Sequence, residues 1–190
     1  MELSAILFIA LLLAVGALRI VELRISKRHQ QQMTSRGATK VKDPYFLWMA
    51  MFHTLLLIAA AVEVVLLHRP FFPALAIPMF ALFVAANLVR WWVIRTLGEH
   101  WNVQVVDSTK LGFISSGPFR YVRHPNYAAV FVEMVALPLI HTAWITALVG
   151  AVLHAVILSL RLSVEDPVLL SNPDYAALMG SKPRFLPGLF

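Results

Sequence analysis

The sequence predicts an all-α integral membrane protein of about five transmembrane helices, and three observations carry that expectation. The 190 residues are 59% hydrophobic and only 14% charged, and the mean hydropathy is +0.75. Several apolar stretches approach or exceed the ~18–20 residues that cross a bilayer. The basic residues gather in particular connections instead of spreading along the chain. A single membrane domain, residues 1–190, fits this length, with three N-terminal spans in 1–97 and a more polar C-terminal region in 98–190.

Residues 3–23 form the first predicted span, interrupted only by Gly16, Arg19 and Glu22. The stretch has no basic n-region and no small-residue cleavage pattern, so it does not read as a removable signal peptide. A polar segment follows at 24–43, where Arg24, Lys27, Arg28, Arg36, Lys40 and Lys42 face Asp43 alone. The second span is 45–67, with His53 and Glu63 inside it. His68, Arg69 and Pro70 make a tight connection, and the third span runs over about 72–93. Trp91, Trp92 and Trp101 follow as an interfacial aromatic group.

Residues 98–123 are too polar to span, and the alternation around Gln104 suggests a short strand or an extended interfacial segment. Residues 127–140 are apolar but short, and 142–160 are a full-length apolar run. These last two are expected to form a helical hairpin turning near 139–144. The tail, 161–190, is polar, and Pro167, Pro173, Pro183 and Pro187 are expected to break it into short pieces, with a brief helix at 174–179. Basic residues in the first connection and again after the third span place the N-terminus outside and the polar segments in the cytoplasm.

Several functions are set aside by composition. The chain has no cysteine, which removes disulfides, thiolate catalysis and cysteine-ligated metals. The histidines lack metal-ligand spacing, so no metal is expected. No phosphate loop or dinucleotide fingerprint is present. The basic first connection reads as an anchor to anionic lipid headgroups, and no nucleic-acid partner is expected.

The run Gly117-Pro-Phe-Arg-Tyr-Val-Arg-His-Pro-Asn-Tyr127 carries the chemistry. A residue before proline is driven out of the α region, and Pro125 suits the first helical position. His124 is thus expected at the mouth of a helix N-terminus, a place that favours an anion, with Arg120 and Arg123 beside it. Arg161 and Glu165 are four residues apart and share a helical face. Taken alone, they read as an interfacial ion pair or as a pair of charged ligand-binding groups. Glu133 reads as a helix–helix polar contact, and His53, His154 and Glu63 mostly as packing or interhelical hydrogen-bonding residues.

The 117–127 run, the Arg161-x-x-x-Glu165 pair and the closing Pro183-Arg-Phe-Leu-Pro187 together resemble the isoprenylcysteine carboxyl methyltransferase family, over roughly residues 101–187. The resemblance implies transfer of a methyl group from S-adenosylmethionine to a lipophilic, membrane-borne acceptor at a cytoplasm-facing site. It implies cofactor contacts from His124, Pro125, Asn126 and Tyr127, from Gln104, from Glu165, and from Leu111, Gly112, Phe113, Ile114 and Ser115 through their backbone. Phe119 is implied as a further cofactor contact and stands where the family commonly has an aromatic hydroxyl, and a single Tyr175 stands where the tail often has paired tyrosines. Arg161 is implied to face the acceptor, and His124 is the nearest base if the acceptor is a phenol or enol. Small prokaryotic members leave two acceptors open: a prenylcysteine-type carboxylate, and an alkylresorcinol- or alkylpyrone-type hydroxyl. A membrane reductase using NADPH and a non-enzymatic small membrane protein are the competing readings. The sequence leaves the oligomeric state open.

Overall fold

A computed structural model describes residues 2–185, and its architecture is six helices with one minimal β-ribbon. The helices are α1 (Leu3–Ser35), α2 (Phe46–Leu66), α3 (Pro73–Leu97), α4 (Pro125–Leu139), α5 (Trp144–Leu170) and α6 (Pro173–Met179). The strands β1 (Thr39–Lys40) and β2 (Val106–Asp107) pair antiparallel, Thr39 opposite Asp107. The chain is an all-α membrane protein in its architecture: α1, α2, α3 and α5 are each long and apolar enough to cross a bilayer. Their outward faces carry exposed Leu3, Leu13, Leu55, Leu66, Leu88 and Leu148. An apolar surface of that extent belongs in hydrocarbon.

Two boundaries differ from expectation. The helix of the first span does not stop at residue 23 but continues to Ser35, about 50 Å at 1.5 Å per residue. Residues 24–35 of the basic segment are therefore helical, because Arg, Lys and Gln are good helix formers once the backbone is already helical. Likewise α5 passes through Pro167 to Leu170, so Pro167 does not break the chain there. Proline removes one intrahelical bond, but Asp166 beside it is anchored by His124 and Arg184, which holds this last stretch in place.

Four helices reach spanning length where about five spans were expected. The fourth apolar segment, α4, has 15 residues and rises only about 22 Å. It nevertheless forms the expected hairpin with α5: the turn packs at the end of the bundle where α1 begins, with Thr142 Oγ1 donating to the Pro70 carbonyl at 2.6 Å. His141 Nε2 lies 3.2 Å from Ser4 Oγ.

The α2–α5 seam is antiparallel and can be followed down its length. Glu63 accepts the N–H groups of Ile145 and Thr146 at 3.1 and 2.7 Å, capping α5 from the neighbouring helix where its free amides need partners. One turn on, a Cβ at Gly150 would meet Leu56 at 2.6 Å, so the helices approach closely there. His53 and His154 follow, and Met49 then meets Arg161, whose guanidinium lies 3.4 Å from the sulfur.

Buried charge links α1, α3 and α4. Arg90 donates to Glu22 at 2.6 and 3.0 Å, Arg19 donates to Glu22 at 2.6 Å, and Arg19 also bonds Glu133. Glu133 is thus the expected interhelical polar contact. Its two anions and two guanidiniums compensate one another, which is the arrangement buried charge requires.

Candidate active site

A cavity of about 780 Å³ runs inside the bundle, from apolar walls on α1 and α2 to a polar end formed by the 100–127 segment, α5 and Tyr175. The apolar walls include Leu13, Gly16, Ala17, Leu57, Ile58 and Ala61.

The polar end is built on the α4 N-terminus. Pro125 occupies its first turn and His124 its N-cap, with φ −125° and ψ 58°, outside the α region. His124 does not present a free cationic mouth: its Nε2 lies 2.7 Å from Asp166 Oδ1, and its Nδ1 lies 3.8 Å from Glu165. Arg123 is 3.7 Å from Asp166, while Arg120 is exposed. The tail completes the mouth, because the N–H groups of Arg123 and His124 donate to the carbonyls of Pro183 and Arg184 at 2.9 and 2.8 Å. Leu186 and Pro187, the end of the tail motif, lie outside the described residues.

Arg161 and Glu165 meet through Tyr127. The Tyr127 hydroxyl donates to Glu165 and accepts from Arg161 Nε at 2.6 Å. Arg161 is only 2% exposed. Its remaining donors reach the Val103 carbonyl and the Asp43 carboxylate, 3.7 Å away. The guanidinium is thereby fixed on protein groups, and it braces the 103–104 segment against α5.

Gln104 lies on the cavity, its side-chain amide joined at 3.0 Å to that of Gln30 from the extended part of α1. Ser26 Oγ, also on α1, accepts from the Val103 N–H at 3.0 Å. Gly112, Phe113, Ile114 and Phe119 line the cavity too, whereas Leu111 and Ser115 do not. Gly112 has φ +97° with open space beside it, a conformation that glycine adopts without strain. Phe119, Phe113, Tyr175 and Met179 pack as one apolar cluster, with the Phe113 and Tyr175 rings edge to face at 5.4 Å. Burial pushes the Tyr175 phenol up to about 12.

The structure thus gathers Gln104, Gly112, Phe113, Ile114, Phe119, His124, Pro125, Asn126, Tyr127, Arg161 and Glu165 around one space. Sequence reasoning missed Asp43 and Asp166, the counter-charges of Arg161 and His124. A signal for Asp43 existed: it is the one acid in a strongly basic segment. Nothing in the local pattern distinguishes Asp166 from its neighbour.

A bundle of helices long and apolar enough to span, with a polar, charge-compensated site at one end of an internal cavity, defines a membrane protein. The model of the isoprenylcysteine carboxyl methyltransferase (ICMT) family matches residues 76–171, and the chain belongs to that family, one of membrane methyltransferases. It is 28% identical over 152 residues to the uncharacterized protein YpbQ of Bacillus subtilis, covering 80% of this chain and 89% of that protein. It is 30% identical over 154 residues to an uncharacterized protein of Haemophilus influenzae, again 80% of this chain and 89% of the relative.

Proposed function

We propose that the protein is an S-adenosylmethionine-dependent O-methyltransferase acting on a lipophilic acceptor, with the methyl donor held at the polar end of the cavity. The observation that carries this reading is the continuity of one cavity from the Glu165–Tyr127–Gln104 end to the apolar walls of α1 and α2. A methyltransferase of lipids needs a polar donor and an apolar acceptor in one water-poor space.

The donor set fits such a cofactor. Its ammonium and ribose hydroxyls need acceptors, and Glu165 is a partly accessible carboxylate on the cavity wall. Its carboxylate and adenine need donors, and the amides of Gln104, Asn102 and Asn126 are on that wall. Asn126 Oδ1 and Asn102 Nδ2 are buried with no hydrogen-bond partner among the described residues, as expected of groups awaiting a ligand. The cofactor supplies a methyl group activated by a sulfonium.

The protein's own contribution is positioning. Tyr127 and Arg161 fix the Glu165 carboxylate. The tail carbonyls hold the α4 mouth closed, and the Phe113–Phe119–Tyr175 cluster keeps bulk water from the same end. His124, held by Asp166, orients the first turn of α4. Under the positive-inside rule this end faces the cytoplasm, where the soluble cofactor is available, and the N-terminus lies outside.

Isothermal calorimetry of the detergent-purified protein with S-adenosylhomocysteine, and separately with NADPH, tests the proposal. S-adenosylhomocysteine is expected to bind at about micromolar affinity and to lose at least about tenfold in Glu165→Ala. Binding of NADPH alone would replace the methyltransferase reading with a reductase.

A further inference from the structure

Outside the central cavity, a second concavity of about 840 Å³ lies between α4 and α5. Phe131, Leu158 and Leu162 line it, and on α5 it is bordered by Ala155, Ser159 and Ser163, which are exposed and too small to fill it. Ser159 and Ser163 each donate back to a carbonyl of their own helix, at 2.8 and 2.7 Å, so their hydroxyls need no partner in the groove. From Ala155 to Asp166 the axis of α5 rises about 16 Å, the depth of one leaflet of a ~30 Å hydrocarbon layer. An apolar groove of that length matches an extended acyl chain.

The polar end of the groove carries charge. Asp166 and Arg184 line it, and Arg184 Nε donates to Asp166 Oδ2 at 2.9 Å. The same carboxylate lies 3.7 Å from the guanidinium of Arg123 and 2.7 Å from His124 Nε2. One carboxylate thus serves two guanidiniums, and positive charge is left in excess. Arg184 presents that excess outward: its side chain is 50% exposed, and its two terminal nitrogens make no hydrogen bond among the described residues. A guanidinium with both terminal nitrogens open is suited to pair bidentately with a phosphate.

We propose that this groove binds an anionic phospholipid of the surrounding bilayer, one acyl chain along Phe131, Leu158 and Leu162 and the phosphate on Arg184, and that the bound lipid fastens the tail. Basic pockets at the polar ends of membrane helices recognise acidic headgroups in this way. A soluble phosphate would meet Arg184 but leave the apolar length of the groove uncovered. A zwitterionic headgroup would bring a cation of its own to a place already rich in them. The tail is involved because the Arg184 carbonyl accepts the His124 N–H at 2.8 Å, so a lipid on the side chain holds the residue whose backbone closes the α4 mouth. The lipid site stands whether or not the central cavity holds a methyl donor.

Delipidated protein in an uncharged detergent is titrated with dioleoylphosphatidylglycerol and, separately, with dioleoylphosphatidylcholine, and bound lipid is counted by native mass spectrometry. One phosphatidylglycerol is expected to bind at least about tenfold more tightly than phosphatidylcholine. Arg184→Gln is expected to erase that preference. Ser159→Trp fills the groove without touching the tail, and is expected to lower the affinity of both lipids about tenfold. In the wild-type protein, phosphatidylglycerol is also expected to slow deuterium exchange at the Arg123 and His124 amides, which the tail carbonyls cover. Equal binding of the two lipids overturns the proposal. So does a preference that survives in Arg184→Gln, which would move the headgroup to the basic residues of 24–42. Wild-type self-association abolished by Ser159→Trp would assign the groove to a second copy of the chain and overturn it as well. Phosphatidylglycerol binding that leaves the exchange of Arg123 and His124 unaltered would overturn the fastening of the tail.

Discussion

Tyr127 is the side chain on which the polar end depends most directly. One hydroxyl links the guanidinium of Arg161 to the carboxylate of Glu165, and Arg161 in turn holds Val103 beside Gln104. Tyr127→Phe keeps the ring and its packing against His124 but leaves a buried donor and acceptor unsatisfied, a loss of about 1–3 kcal/mol. The variant is expected to melt lower than wild type in a detergent thermal scan and to bind S-adenosylhomocysteine more weakly. Unchanged affinity would show that Glu165 needs no such bracing. Arg161→Ala acts on the same network: because the guanidinium supports the 103–104 segment, the loss is expected to reach cofactor affinity as well as methyl transfer. Tyr175 behaves differently. With its pKa raised to about 12, its phenol stays protonated to well above neutral pH. Its contribution to stability is complete below the usual tyrosine value of about 10 and is lost as pH rises toward 12. Residues with a local signature were legible in the sequence at this scale: His124 from the following proline, and Glu165 from its spacing to Arg161. Asp43 and Asp166 act through partners roughly 118 and 42 positions away, and no local pattern records such pairings.

At the scale of elements, apolar length located the cores of the spans but not their ends. Helix α1 exceeds its apolar stretch because Ser26, His29 and Gln30 are bonded to Asn102, Trp101 and Gln104, so tertiary contacts extend a helix that hydropathy alone would stop. The same contacts explain the β-ribbon, in which the chain leaving α1 pairs with the segment carrying Gln104; only one of its two strands had a sequence signal. The join between α3 and the 3-10 turn Gly117–Arg120 is a further element-level constraint. Gly117 has φ +57°, and a Cβ there would meet Thr96 Oγ1 at 2.7 Å and Trp92 at 3.3 Å. Gly117→Ala is expected to cost about 1–3 kcal/mol through combined backbone strain and overpacking. Because that turn leads into Phe119 and His124, cofactor affinity is expected to fall with the melting temperature. A thermal scan and a calorimetric titration of the one variant check both, and an alanine that leaves each unchanged would remove Gly117 as the pivot of this segment.

For the whole molecule, the arrangement is a set of compensated charges around a cavity whose opposite end is apolar. The Arg19–Glu22–Arg90–Glu133 group ties α1, α3 and α4 together at the polar boundary of the apolar arm. Removing one partner, as in Glu133→Ala, leaves buried guanidinium charge uncompensated and is expected to cost about 3–5 kcal/mol, read as a large fall in melting temperature. The apolar arm is governed by a different residue. Gly16 of α1 lines it, and a Cβ there would lie 3.7 Å from Leu57 of α2, so a methyl fits and a branched side chain fills the space beyond. Gly16→Leu adds apolar volume without a charge or a hydrogen-bonding group, on a wall away from Glu165 and Gln104. If this arm receives the acceptor's alkyl chain, the variant binds long-chain acceptors more weakly than short-chain ones of the same head, while S-adenosylhomocysteine binds as in wild type. Titrating 5-alkylresorcinols of increasing chain length into both proteins separates the outcomes. A length preference identical to wild type would mean that the chain leaves by another route, of which the groove between α4 and α5 lined by Phe131, Leu158 and Leu162 is the alternative. A loss of S-adenosylhomocysteine binding would mean that the two ends of the cavity are mechanically coupled through α1, whose far turns hold Gln104 in place.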